Sequence, residues 1–161
     1  MPTDLEAVLL AAYPQVLVMP ADHPLAGEPD LTLADLAGAS LVAPPPTGPH
    51  RVALERALRA AAVPWTLAVE AEGWPLALHF VSLGIGLAVV NGCVIPPPGL
   101  VTREIIDLPA VSYHAVHHPS RADDPMVTGL LSEIRTALRN APCTSRPPST
   151  STPAPRPSGS S

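Results

Sequence analysis

HFVSLGIGLAVVNG, residues 79 to 92, is the stretch that decides the fold class of this chain. A helix is expected to end at Gly84, where the backbone can take a positive φ. Gly86 then allows a tight turn into Leu87–Val90, an apolar run typical of a strand covered on both faces. Helix, glycine turn and buried strand are the closing parts of an α/β unit.

This stretch resembles the V-x-x-G-x-G signature of the effector-binding domain of LysR-type transcriptional regulators. Related motifs stand in the family's order and approximate spacing: DHPLA at 22–26, LTLADLAG at 31–38 and PGLV at 98–101. The resemblance extends over roughly Val16 to Leu138. It implies a periplasmic-binding-protein-like (type 2) two-lobed α/β fold, with a small-molecule effector bound between the lobes.

The resemblance also implies a complete second lobe and a partial first lobe. The expected units are 1–22, partial first lobe and crossover strand; 23–100, second lobe; 101–140, return to the first lobe; and 141–161, a disordered Pro/Ser/Thr-rich tail. Family members carry a winged helix-turn-helix before this region, so a truncated regulator, a mis-set start or a gene remnant would each explain the sequence. We expect the Val16 strand and the Val127 helix to expose apolar faces, which favours association through the lobes or partial disorder.

The residues from Ser40 to Val90 predict β-α-β-α-β, hence a right-handed, parallel, doubly wound lobe. The first helix is expected after an N-cap at Thr47 or Gly48, with Glu55 and Arg59 spaced as a surface ion pair. The positions expected to be buried are Leu54, Ala57, Leu58, Ala61 and Ala62 on the first helix and Leu76, Phe80 and Val81 on the second. Residues 1–14 are expected to form a loop and a short segment.

Composition excludes several functions. The chain contains no lysine and has a net charge of −5, which argues against DNA binding by this chain alone. Cys93 and Cys143 suggest neither a disulfide nor a metal pair. There is no signal peptide, no membrane span and no recognisable catalytic motif, so we expect a cytoplasmic, non-enzymatic protein without a cofactor.

The candidate binding residues follow the carboxyl ends of the predicted parallel strands, where ligands bind in open α/β sheets. They are Thr47, Gly48, His50 and Arg51 after the first strand, Gly73 and Trp74 after the second, and Asn91 after the third. A hydroxyl, a basic group and an apolar wall suit a small carboxylate. In the alternative interpretation, Thr47 only caps its helix and Arg51 is a solvated surface residue.

Two other possibilities have less support in the sequence. His114, His117 and His118 form a cluster, but no Cys, Asp or Glu stands nearby at metal-site spacing, so no metal is expected. A solute-binding protein of a transporter would share the lobed fold, but it would need a signal peptide or lipobox.

Overall fold

The computed structural model describes residues 5 to 140, and the predicted tail, including Cys143, lies outside the described residues. The strands are β1 Glu6–Tyr13, β2 Gln15–Pro20, β3 Ala39–Ala43, β4 Trp65–Glu70, β5 Ala88–Asn91, β6 Leu100–Glu104 and β7 Val111–His117. The α-helices are α1 Pro49–Ala60, α2 Trp74–Ser82 and α3 Pro125–Asn140. Short 3-10 helices lie at Pro24–Gly27, Leu33–Leu36 and Pro119–Arg121.

The second lobe is built on a mixed sheet in the order β4-β3-β5-β2-β6. β3 and β4 are parallel, and a parallel bridge between Leu41 and Leu87 joins β3 to the start of β5. Two hydrogen bonds support this bridge: Leu87 N donates to Ser40 O at 2.9 Å, and Val42 N donates to Leu87 O at 2.7 Å. The predicted β-α-β-α-β order is therefore correct, but β2 runs antiparallel to both of its neighbours, β5 and β6.

Helices cover both faces of this sheet, because successive side chains of a strand point to opposite faces. Leu17 of β2 shares one apolar cluster with Leu58 of α1, whereas the next residue, Val18, shares the other with Val81 of α2. All four side chains are 0% exposed. The lobe is thus doubly wound around an aliphatic core, as the sequence predicts.

β2 lies between β5 and β6 in the sheet, so the expectation that the Val16 strand exposes an apolar face is wrong. Its residues 16 to 19 are all buried, because β5 and β6 pair with its two edges. The sheet therefore continues across both predicted lobe boundaries, at residues 22/23 and 100/101. The sequence did not predict this continuity, because it depends on pairing between strands far apart in the chain, which periodicity along one segment does not reveal.

The first-lobe part of the structure is an antiparallel pair of β1 and β7, with α3 packed against β1. The loop predicted before residue 14 is in fact β1, a strand whose partner lies about a hundred residues away in the chain. One face of α3 is half-buried, through Val127, Leu131, Ile134 and Leu138. Leu130, a member of the predicted apolar face, is 61% exposed, and Met126 four residues earlier is 81% exposed, so part of that face remains uncovered as predicted.

The buried face of α2 differs from the predicted one. Ala77, Leu78 and Val81 are buried, whereas Leu76 is 44% exposed and Phe80 is half-buried. Most residues of this helix are apolar, so the periodicity does not single out one stripe, and contact with the sheet selects it.

The buried face of α1 also differs from the prediction. The helix ends at Ala60, so Ala61 and Ala62 lie beyond it and are exposed. Glu55 pairs with Arg51, at 2.6 Å, in place of the predicted Glu55–Arg59 pair.

The two glycines of the deciding stretch have different roles. Gly84 has a φ of +73°, the left-handed conformation that glycine adopts without steric cost. A Cβ on Gly86 would lie 2.8 Å from Ser40 O, so Gly86 is needed for the close approach of β5 to β3. The prediction for Gly84 is confirmed, whereas Gly86 serves a close approach between strands that the predicted tight turn did not include.

Candidate functional site

The helices α1 and α2 begin at the same edge of the sheet, after β3 and β4, and β5 ends there at Asn91. Gly48 is the N-cap of α1 and Gly73 is the N-cap of α2, and neither supplies a side-chain hydrogen bond to its helix. Of the two N-cap positions predicted for α1, Gly48 is therefore the correct one, and Thr47 lies exposed in the preceding turn. The first-turn N–H groups at this edge therefore lack a side-chain cap and carry the partial positive charge of a helix N-terminus.

His50 is held between β5 and α2. Its Nε2 lies 2.9 Å from Val89 O, and its ring contacts Trp74 edge-on at 4.9 Å between centroids. A carbonyl oxygen only accepts hydrogen bonds, so Nε2 carries the proton and Nδ1 is left as an acceptor. Burial lowers the pKa of His50 below its usual 6.5, despite the opposing effect of the Val89 bond. His50 is thus a neutral hydrogen-bonding group at pH 7, and not a cation.

Asn91 connects this edge to the first-lobe strands. Its Nδ2 donates to the Tyr113 hydroxyl on β7 at 2.7 Å, while its Oδ1 is buried without a hydrogen-bond partner. Tyr113 also lies 3.7 Å from Cys93 Sγ and contacts Tyr13 edge-on at 5.6 Å. Burial is the main cause of a raised pKa for the Tyr113 phenol. The edge of the second lobe therefore faces β7.

Arg51 takes neither of the two positions considered from the sequence. It is 7% exposed, and its guanidinium donates to Glu55 Oε1 at 2.6 Å and to Pro44 O at 3.0 Å. The guanidinium also lies 5.1 Å from the centre of the Trp65 ring. These contacts place it in the packing of α1 against β3 and β4. The apolar stem of an arginine can be buried, so Arg51 lies against the sheet although the sequence pattern assigns it to the polar face of α1.

Of the predicted site residues, the structure brings His50 and Trp74 into contact and places Gly48, Gly73 and Asn91 at the same edge. Tyr113 is the residue that the sequence did not reveal. It lies in an alternating strand without any motif, so only the tertiary contact with Asn91 identifies it.

The histidines near β7 have local partners. His118 Nδ1 lies 2.7 Å from Ser120 Oγ, and His117 Nδ1 lies 3.1 Å from His118 O. Within residues 5 to 140, no group of three or more His, Cys, Asp or Glu residues is arranged to hold a metal ion. No helix in the described part of the chain is long and apolar enough to cross a membrane.

The doubly wound sheet contains one antiparallel strand, and the chain connects it twice to the smaller unit of β1, β7 and α3. This arrangement is that of a type 2 periplasmic-binding-protein-like fold, in which the sheet belongs to one lobe and the smaller unit is part of the other. The chain belongs to the family described as the LysR substrate binding domain, whose model matches residues 1–139. A search of curated proteins gave no match.

Solved structures show the same fold at low sequence identity. The CcmR regulatory domain of Synechocystis PCC6803, in complex with 2-PG, has a TM-score of 0.69 and 16% identity over 85% of this chain and 68% of that one. The reduced OxyR regulatory domain from Pseudomonas aeruginosa has a TM-score of 0.68 and 21% identity over 86% and 68%. The effector-binding domain of QuiR with shikimate has a TM-score of 0.63 and 15% identity over 85% and 66%.

The chain therefore spans about two thirds of each of these domains. The second lobe is complete in it and the first lobe is partial. The chain is an effector-binding domain of the LysR type. LysR-type proteins are a class of transcriptional regulators and not a class of enzymes. The family match does not favour a transporter solute-binding protein.

Proposed function

We propose that this chain binds a small-molecule effector at the edge formed by the starts of α1 and α2 and by Asn91. The observation that carries the proposal is the pair of helix N-termini without side-chain caps beside the His50–Trp74 contact. The complexes of CcmR with 2-PG and of QuiR with shikimate support a small molecule as the ligand class.

A small carboxylate fits the chemistry of this edge. The first-turn N–H groups of the two helices offer donors and partial positive charge to an anion. Neutral His50 adds an acceptor at Nδ1 for a hydroxyl of the ligand, and Trp74 adds an apolar surface. Arg51 contributes by holding α1 in place and not by contacting the ligand.

The Asn91–Tyr113 hydrogen bond connects the proposed binding edge to β7, so a bound effector can change how the two lobes are arranged. A ligand at this edge competes for, or reinforces, the one side-chain bond that joins Asn91 to β7. We propose that the change reaches DNA through a separate DNA-binding region, since this chain has a net charge of −5 and no lysine. We place this activity in the cytoplasm and expect a second copy to cover the exposed apolar surface around Met126.

The test uses Gly48→Asp with Gly48→Ala as its matched control. Gly48 has an ordinary φ of −71°, and a Cβ there would lie 3.2 Å from Pro45 O, closer than ordinary contact. Both variants add that same Cβ, so the steric cost is common to them and the carboxylate is the difference between them. An Asp at the N-cap satisfies the N–H groups and places negative charge where the ligand's charge would lie.

Thermal melting against a panel of small carboxylates, aromatic acids and amino acids gives the measurement. A ligand at 100 times its Kd stabilises the folded state by about 2.7 kcal/mol. We expect Gly48→Asp to raise the melting temperature without ligand and to lose the ligand-induced rise that Gly48→Ala keeps. Equal ligand-induced rises in the two variants would contradict the proposal.

A further inference from the structure

A groove runs between α2 and the loop that follows β5. It has a volume of about 800 Å³, within the range of small-molecule pockets. It is lined by Trp74, Pro75, Leu78, His79 and Ser82 of α2 and by residues 94 to 98 of the loop that follows β5.

The lining is suited to an apolar ligand group. It contains no Asp, Glu or Arg, and one wall is the run Pro96-Pro97-Pro98. Proline fixes φ, so this wall loses little conformational entropy when a ligand binds. Ile95 in the same wall is 64% exposed, a large apolar side chain that a ligand would cover. The Ser82 hydroxyl already donates to His79 O at 2.6 Å, so it does not require a polar partner.

The groove begins at the proposed effector edge. Trp74 lines the groove and also contacts His50 edge-on. On the other wall, Val94 N donates to Asn91 O at 3.0 Å, so the loop leaves the sheet at the residue that joins the edge to β7. A ligand with its polar end at the edge therefore has an apolar path directly beside it.

We infer that this groove receives the apolar body of the effector, which makes the effector an amphiphilic acid with an alkyl or aryl body and not a small polyol acid. This inference rests on the proposed function, because it places the polar end at the same edge. Trp74 is the residue shared by the two parts of the site.

The experiment titrates the purified chain with butanoate, octanoate and the uncharged 1-octanol. The chain has two tryptophans, so a ¹H–¹⁵N spectrum shows two indole signals, and a Trp65→Phe variant assigns them. Trp65 packs on Arg51 away from the groove and is the internal control. Ile95→Ser removes apolar surface from the groove, and Ile106→Ser, at a site that is 59% exposed outside the groove, is the matched variant.

We expect octanoate to bind about tenfold more tightly than butanoate, since a buried methylene favours binding by up to about fourfold. The Trp74 indole signal should shift with octanoate and octanol while the Trp65 signal stays. Ile95→Ser should weaken the binding of octanoate and of octanol by about threefold or more, and Ile106→Ser should change neither affinity.

The outcomes separate the two proposals. Carboxylates that bind without dependence on chain length would overturn the groove and leave the effector edge in place. Octanol and octanoate of equal affinity, both sensitive to Ile95→Ser, would support the groove and contradict the anion-binding edge. If no eight-carbon ligand shifts the Trp74 signal, the groove assignment is wrong.

Discussion

Replacing Gly86 by alanine should cost more stability than replacing Gly84, although Gly84 has the unusual backbone. An alanine at 84 would carry a φ of +73° but would meet no atom within 4 Å, so its cost is the left-handed strain of about 1–2 kcal/mol. An alanine at 86 would place Cβ 2.8 Å from Ser40 O and 3.1 Å from Ala68 Cβ, inside the 3.4 Å where ordinary contact begins. The β3–β5 approach must then open by about 0.6 Å to bring the 2.8 Å contact with Ser40 O out to 3.4 Å.

The magnitude follows from what that opening disturbs. The Leu87 N–Ser40 O and Val42 N–Leu87 O bonds are the hydrogen bonds of this approach, and each contributes about 0.5–1.5 kcal/mol. Overpacking adds about 1–3 kcal/mol. Both variants gain equally from the stiffer unfolded chain, so that contribution cancels in the comparison. We expect about 2–6 kcal/mol for Gly86→Ala, and more than for Gly84→Ala.

Equilibrium urea unfolding followed by far-UV circular dichroism measures both losses, with equal m-values as the condition for comparing them. A Gly86→Ala variant that loses no more stability than Gly84→Ala would refute the reasoning. It would mean that the close approach of β5 to β3 contributes little to holding the lobe together.

Three further predictions follow from the same structure. The free energy of unfolding should fall as the pH drops below 6.5, because the folded state lowers the pKa of His50 and the unfolded state therefore takes up the proton first. His50→Gln should flatten this part of a plot of melting temperature against pH. An unchanged plot would contradict this role of His50. Leu58→Ala should lose about 2–5 kcal/mol in urea unfolding, since the side chain is 0% exposed, whereas a loss below 1 kcal/mol would show that the core collapses around it. Arg51→Met should lower the free energy of unfolding by about 1–3 kcal/mol, because it leaves Pro44 O unpaired. The effector affinity measured by calorimetry should stay the same, and a large loss of affinity would show that Arg51 contacts the ligand.

The site shows where local sequence reasoning reaches its limit. The carboxyl-end rule placed His50, Trp74 and Asn91 together, because it depends only on strand order and direction. The rule did not give the protonation state of His50, which depends on burial against Val89 O. It also did not give the environment of Arg51, which a helical pattern assigns to the polar face.

The sequence by itself determined the order of strands and helices from Ser40 to Val90, the positive φ of Gly84 and the family, because these depend on short-range backbone conformation and on motifs a few residues long. Only the tertiary structure decided that β2 lies antiparallel between β5 and β6, that residues 6 to 13 form a strand paired with β7, and that Tyr113 contacts Asn91. Those features are pairings between segments far apart in the chain. Their free energy comes from edges and apolar faces that become complementary only once the intervening chain has folded.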